Sequence, residues 1–377
     1  MRGAGVADRF VLAGGGSAGH VNPMLATAAE LRRRRPDAEL VLLGTADGLE
    51  AELVPAAGFE LTVIEKVPLP RRPSADVLRF PGRWRAASAS ARQAVAGADA
   101  VVGFGGYVAT PAYLAGRSLG VPIVVHEQNA RPGLANRLGA RWAAAVGITF
   151  EGTPLPKAHL VGLPLRPAIA DLVRDRVVDR EGRARAGAQA CGLDPGRTTV
   201  LVTGGSLGAA RLNATVPAVA GALVEGGAQV LHLTGKGKSA AVLELLETAG
   251  PQVREHYHVR EYLTAMEQAL ACADVGVSRS GAGTVSELAA LGIPAVYVPL
   301  PIGNGEQRLN ARPVVSAGGG LLVADAELTP DWLRAHLLPL VTDADQRARM
   351  GADAARAGIT DGAARLADLV LEVARSR

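Results

Sequence analysis

The sequence predicts an α/β protein of two Rossmann-like domains facing across a cleft, and three observations carry that prediction. Short β-branched apolar runs alternate with alanine- and leucine-rich stretches. A glycine-bearing motif recurs about half a chain apart, and 377 residues are too many for one ordinary core.

The run at 10–13 enters a glycine loop and then a helical stretch at 24–31. Runs at 39–43, 100–103, 122–125, 199–202, 229–233 and 295–298 read the same way, as parallel strands each followed by a turn and a helix. The near-repeat pairs FVLAGGGSAGH at 10–20 with VLVTGGSLG at 200–208, placing Ser17 and Ser206 189 positions apart (206 − 17). Tandem nucleotide-binding domains follow, the first over 1–163 and the second over 164–344, with the boundary near the two prolines of VGLPLRP at 161–167. The stretch 345–377 can return to the first domain, and its helical part at 362–374 suits either one. Residues 171–187 mix arginine and aspartate and read as one solvated helix.

Hydrophobic residues make up 48% and charged residues 20%, the balance of a globular chain rather than a disordered one. The 46 glycines and 23 prolines fall between apolar runs without a short period, so they mark turns. The net charge of +4 and a pI near 9.3 favour a phosphate-rich substrate or anionic lipid. Aromatics at 3% leave little for base stacking, so nucleic acid is not expected. Cys191 and Cys272 lack CxxC partners and read as buried apolar residues in a reducing compartment; no metal site is expected. Residues 1–8 lack the apolar core of a signal peptide, and no run of about 18 apolar residues follows, so no membrane span is expected.

Chemistry gathers at strand ends. GGGSAGH at 14–20 opens a helix, where free amides and the helix dipole favour an anion. A tight turn without a ligand explains the loop equally well, and it is a poor dinucleotide fingerprint. His20 there is either a proton acceptor or a residue capping its own helix. GFGGY at 103–107 and HEQN at 126–129 follow two further strands, and three such loops on one sheet edge make a site. In the second half, SRSGAGTVSE at 278–287 opens a helix. Thr284 and Glu287 have capping-box spacing, while Glu287 also suits a ribose diol. The loop PIGNGEQRLN at 301–310 suits sugar hydroxyls or an ordinary surface turn.

These segments, with GGSLGA at 204–209, stand in the order found in the MurG family of bacterial N-acetylglucosaminyltransferases, which the chain resembles over nearly its whole length. The GNGEQRLNA form at 303–311 is similar to that of actinobacterial members. The resemblance implies a GT-B fold and an inverting transfer of GlcNAc from UDP-GlcNAc to the C4 hydroxyl of MurNAc in lipid I, giving lipid II for peptidoglycan. It implies no cofactor. On the donor side it implies Ser17, Ala18 and Gly19 beside the sugar nucleotide, Asn129 in contact from the first domain, and Arg166 with Ser206 at the diphosphate. Leu263 would meet uracil; Ala282, Gly283, Thr284, Val285, Ser286 and Glu287 would hold phosphate and ribose. Gln307, with Glu306, would read the GlcNAc hydroxyls, supported by Asn310. His20 is the favoured general base, with Glu127 as the other catalytic residue, and Gly105, Gly106 and Tyr107 lie on the acceptor side. Ala18, Ser17 and Gly283 depart from a usual glycine, threonine and larger apolar residue, and Glu306 stands where many relatives carry glutamine.

A lipid-linked acceptor requires a peripheral enzyme on the cytoplasmic face of the membrane. The segment 70–85 joins Val77, Leu78, Phe80 and Trp84 to five arginines, Arg71 and Arg72 among them, a composition suited to an anionic surface. An amphipathic helix packed on its own domain is the plainer reading; the family resemblance favours attachment. Other cell-wall synthesis proteins are further partners the resemblance allows. Asp343 and Asp345 have carboxylate spacing but read as a solvated pair. Three rivals share the sheet architecture: a secondary-metabolite glycosyltransferase using a UDP- or TDP-sugar, a nicotinamide-dependent oxidoreductase, and a non-catalytic nucleotide-binding scaffold. The oxidoreductase needs an acidic residue closing the second strand, where Leu43 is followed by Gly44 and Thr45.

Overall fold

The structure is a computed structural model describing residues 8–67, 75–205 and 208–376, with side chains of the helix Ala75–Val95 described from Phe80 onward. Its residues divide into two compact units, one of Met1–Pro167 with Asp361–Arg377 and the other of Ala168–Thr360.

In the first unit seven parallel strands form one sheet: β1 (Arg9–Gly14), β2 (Glu39–Gly44), β3 (Leu61–Val63), β4 (Ala100–Gly105), β5 (Ile123–Glu127), β6 (Ala145–Ile148) and β7 (Ala158–Leu160). Their spatial order is β3-β2-β1-β4-β5-β6-β7. β1 alternates side chains between two cores. Phe10 and Leu12 join Leu42, Val102 and Val124 on one face, whereas Val11 and Ala13 join Val41, Leu43 and Val101 on the other. A strand buried on both faces reads as an unbroken apolar run, which is why these strands stand out in the sequence. The helix Gly362–Arg375 packs on the first unit: Leu366, Ala367 and Val370 are buried beside Phe10 and Val124.

The second unit repeats the plan with β8 (Thr198–Thr203), β9 (Ala228–Leu233), β10 (Tyr257–Arg260), β11 (Val275–Ser278), β12 (Ala295–Tyr297) and β13 (Gly320–Leu322), all parallel, in the order β10-β9-β8-β11-β12-β13. Counted within each unit, both sheets share the order 3-2-1-4-5-6, which a seventh strand extends in the first, the doubly wound order whose chain reversal beside the first strand creates a ligand crevice at the strands' carboxyl ends.

Two local readings need correction. Residues 171–187 are not one helix but parts of two, Pro167–Val178 and Arg180–Cys191. Asp179 breaks the run because its Oδ1 accepts the Gly182 N–H at 2.8 Å, capping a new helix. The helix carrying Thr284 and Glu287 starts at Ala282 after Gly281, with no side-chain cap, so the capping-box spacing goes unused. Among the described residues no helix is long and apolar enough to cross a membrane. Cys191 and Cys272 are both free and buried.

Candidate functional site

In the first unit, three strand ends converge on His20. After β1 the chain turns through Gly16, whose φ of +82° lies where glycine is favoured, and Ser17 begins the helix Ala18–Arg34 without capping it by its side chain. The Ser17 hydroxyl lies 3.0 Å from His20 Nδ1, and the same nitrogen lies 3.0 Å from the Gly15 carbonyl. A carbonyl only accepts, so Nδ1 carries the proton and Nε2 keeps its lone pair. Nε2 faces Gly105: a Cβ built there would come within 3.1 Å of it. Gly105, with φ of +97°, thus sets no side chain of its own against the imidazole's basic nitrogen, and Gly106 follows with φ of +78°. Gly106 also lies against the first loop, since a Cβ on it would be 2.3 Å from the Gly15 oxygen. Tyr107 is exposed beside it. Burial holds the His20 pKa below its ordinary 6.5, against opposing contributions from the Gly15 carbonyl and Glu50, so the ring is neutral at neutral pH.

Glu50, which the sequence reading passed over, anchors this edge. It is fully buried; Oε2 accepts the Gly16 N–H at 3.0 Å, and Oε1 accepts the Thr45 N–H at 2.9 Å and its hydroxyl at 2.7 Å. Burial opposes its ionisation, but these hydrogen bonds outweigh it and hold the carboxyl below its ordinary pKa. The only sequence signal was the closeness of an acid to the end of β2. A side chain that turns inward to a glycine loop leaves no periodic trace.

Glu127, at the end of β5, is also buried, and burial raises its pKa. Oε1 accepts the Asn129 N–H at 2.9 Å, while Oε2 accepts Gly133 N–H and Asn136 Nδ2, each at 3.0 Å. These bonds shape the loop that carries Asn129. Beside the first glycine loop, a cavity of about 330 Å³ is lined by Gly15, Gly16, Asp47, Lys66 and Tyr107.

The second unit gathers its polar residues at the matching edge of its own sheet. β8 is followed by Gly204 and Gly205, the latter with φ of +76°, and Gly208 comes shortly after with φ of +66°. A Cβ on Gly208 would lie 2.1 Å from the Thr234 oxygen, so this turn is closed tightly onto the loop after β9. Leu263 is half-buried just past β10. Beyond β11, the helix Ala282–Ala290 presents the uncapped N–H groups of Ala282, Gly283 and Thr284, an anion-favouring end. Val285 is buried against the core, whereas Ser286 and Glu287 are half-exposed. Asn310 is buried and donates to the Ser280 carbonyl at 3.3 Å, and Gln307 Oε1 accepts the Leu300 N–H at 3.0 Å, leaving its NH₂ as a donor. The hydroxyls of Ser278 and Ser280 and Glu306 Oε2 are buried without hydrogen-bond partners among the described residues. Orphaned polar atoms of this kind are costly unless a ligand or water completes them.

Arg166 is half-buried immediately before the helix Pro167–Val178. Phe80 and Trp84 stack on the helix Ala75–Val95 with ring centroids 6.0 Å apart. Ser206, Arg71 and Arg72, and the side chains of Val77 and Leu78, lie outside the described residues. Asp343 serves as a helix cap, its Oδ1 accepting the Gln346 N–H at 2.8 Å. Among the described residues no group of three or more His, Cys, Asp or Glu side chains could hold a metal ion.

Residues 10–148 match the glycosyltransferase family 28 N-terminal domain and residues 199–366 its C-terminal domain. A UDP-N-acetylglucosamine--N-acetylmuramyl-(pentapeptide) pyrophosphoryl-undecaprenol N-acetylglucosamine transferase of Clavibacter sepedonicus is 56% identical over 98% of this chain and 97% of its own. The transferase of the same name from Bifidobacterium adolescentis is 52% identical, covering 96% of each chain. Among solved structures, Acinetobacter baumannii MurG aligns with a TM-score of 0.73 at 26% identity, over 97% of this chain and 100% of that one. A Neisseria meningitidis UDP-GlcNAc 2-epimerase, solved with UDP-GlcNAc, aligns over 99% and 100% with a TM-score of 0.69 at 12% identity, a likeness of fold alone.

Proposed function

The chain belongs to glycosyltransferase family 28, among the UDP-N-acetylglucosamine--N-acetylmuramyl-(pentapeptide) pyrophosphoryl-undecaprenol N-acetylglucosamine transferases, and from that premise we propose how its residues divide the work. It is a glycosyltransferase that moves GlcNAc from UDP-GlcNAc to the MurNAc of lipid I, giving lipid II for peptidoglycan. The transfer inverts the anomeric carbon. The acceptor C4 oxygen attacks C1 as the bond from C1 to the β-phosphate oxygen breaks; the acceptor proton passes to His20 Nε2, and the charge leaves on UDP.

The observation that carries His20 as base is its tautomer. The Gly15 carbonyl holds the proton on Nδ1, so the lone pair on Nε2 faces the gap left by Gly105. Glu127, with three N–H groups on its carboxylate, is a loop-positioning residue rather than a second base. Gly105, Gly106 and Tyr107 face the acceptor, and Ser17, Ala18, Gly19 and Asn129 border the donor sugar. The N-terminus of the helix Ala282–Ala290, Ser206 and Arg166 carry the diphosphate; Glu287 takes the ribose diol. Leu263 meets uracil, and Gln307 with Glu306 reads the sugar. The orphaned Ser278, Ser280 and Glu306 oxygens support this side as a ligand site.

We further propose peripheral attachment to the cytoplasmic face of the membrane through Phe80, Trp84 and the neighbouring arginines, and contacts with other cell-wall synthesis proteins. Titration of UDP into the full chain tests the donor side. Glu287→Ala should weaken binding by roughly tenfold or more, as expected when a hydrogen bond to a charged group is lost. Equal affinity in the variant would remove Glu287 from the site. Flotation with anionic vesicles tests the membrane reading: Trp84→Ala should reduce the bound fraction, and unchanged flotation would contradict it.

A further inference from the structure

At the opposite edge of the second sheet lies a cavity of about 650 Å³ that the transfer reaction does not use. Asp274 immediately precedes β11 and Pro294 immediately precedes β12, so this cavity opens at the amino ends of the strands, away from the carboxyl ends that carry the proposed donor residues. Three guanidiniums line it, Arg176, Arg180 and Arg347, against a single carboxylate, Asp274.

One carboxylate thus faces three guanidiniums: Asp274 Oδ2 accepts the Thr199 N–H at 2.8 Å, and its charge is shared among Arg347, Arg180 and Arg176. Arg176 reaches only the Leu270 carbonyl at 3.4 Å, and Arg347 donates to the Leu340 and Val341 carbonyls at 2.8 and 3.0 Å. None of the three makes a direct ion pair with a carboxylate among the described residues, although exposed arginines nearby do: Arg183 pairs with Asp175 at 2.6 Å. Burial first, and the neighbouring Arg180 second, push the Arg176 pKa down to about 10, with Asp274 opposing them. Val173, Leu291 and Pro294 supply an apolar wall. The wall is rigid where the helix Ala344–Ala357 meets the turn at Gly292: a Cβ on Gly351 would lie 2.8 Å from the Gly292 oxygen.

We propose that this cavity binds a small organic phosphate, its dianionic head among Arg176, Arg180 and Arg347 and its apolar body against Val173, Leu291 and Pro294. Arginine forks match phosphate oxygens two at a time, and a cavity of this size suits a ligand somewhat larger than the phosphate group itself. The reading does not depend on the donor site, which lies at the other ends of the strands.

Calorimetric titration of the full chain with inorganic phosphate and with phenyl phosphate, each in the presence of saturating UDP, tests it. Both should bind, phenyl phosphate the tighter, because its ring covers the apolar wall. Arg180→Gln and Arg176→Gln should each weaken both by roughly tenfold, the scale of one charge-assisted hydrogen bond. Arg183→Gln, whose side chain lies outside the cavity, should bind as the parent does. Arg180 is exposed, so its variant should keep the parental melting temperature and separate a lost ligand contact from misfolding. The proposal is overturned if neither probe binds, if saturating UDP abolishes the binding, if phenyl phosphate binds no tighter than phosphate, or if Arg180→Gln and Arg176→Gln bind like the parent.

Discussion

A single carbonyl determines the chemistry open to His20. With Nδ1–H held by Gly15, the imidazole accepts a proton at Nε2, and burial keeps the ring neutral below its ordinary pKa of 6.5. The acid limb of kcat/KM should therefore lie below pH 6.5. The Glu50 carboxylate works in the opposite direction, raising the His20 pKa, so Glu50→Gln should move that limb lower still. The same substitution leaves the Gly16 and Thr45 N–H groups with a weaker acceptor and should cost on the order of 1 to 3 kcal/mol of stability in denaturant titration. An unshifted limb would show that Glu50 does not act on His20. This residue was not legible in the sequence, because its partners are a glycine amide 34 positions earlier and a threonine five positions earlier.

At the scale of elements, the long interior strands were legible and the short edge strands were not. β1, β2 and β8 announce themselves because burial on both faces demands continuous apolar residues. β3 and β7 have three residues each, half-buried or exposed, and carry no such pattern. The site loops were legible as glycine clusters at strand ends, but how those loops are held was not. Gly106 shows why the glycines are needed. Its φ of +78° and its closeness to the Gly15 oxygen leave no room for a methyl, so Gly106→Ala should displace the His20 loop and lower kcat by at least tenfold. Gly221 is the contrasting case, with open space around its Cβ position inside the helix Ala220–Glu225. Gly221→Ala should leave activity unchanged and stabilise the chain by about 0.4 to 1 kcal/mol in the same titration. Loss of activity in both variants alike would discount the steric account.

At the scale of the whole molecule, each unit holds a fully buried histidine inside a hydrogen-bonded network. His126 donates Nε2–H to the Gly162 carbonyl and accepts Gln128 Nε2 at Nδ1; His232 donates to Asn213 Oδ1 and accepts the Tyr257 hydroxyl. Burial lowers both to about 4, so the unfolded chain binds protons more tightly than the folded one. The stability they permit is complete above about pH 6.5 and is lost as the pH falls toward 4, by on the order of 3 kcal/mol per histidine. Urea midpoints should fall steadily across that window, and a flat profile would contradict the burial of these rings in both units.

In the proposed reading, a proton acceptor belongs to the first parallel sheet and a donor cradle to the second. Incubation of the full chain with radiolabelled UDP-GlcNAc and a lipid I analogue tests that division most directly, read as label in the lipid fraction. The parent should transfer label, and His20→Ala should slow transfer by roughly 10² to 10⁴ while its UDP affinity stays parental. Label reaching lipid at the parental rate in His20→Ala, or never reaching it in a parent that binds UDP normally, would contradict the account.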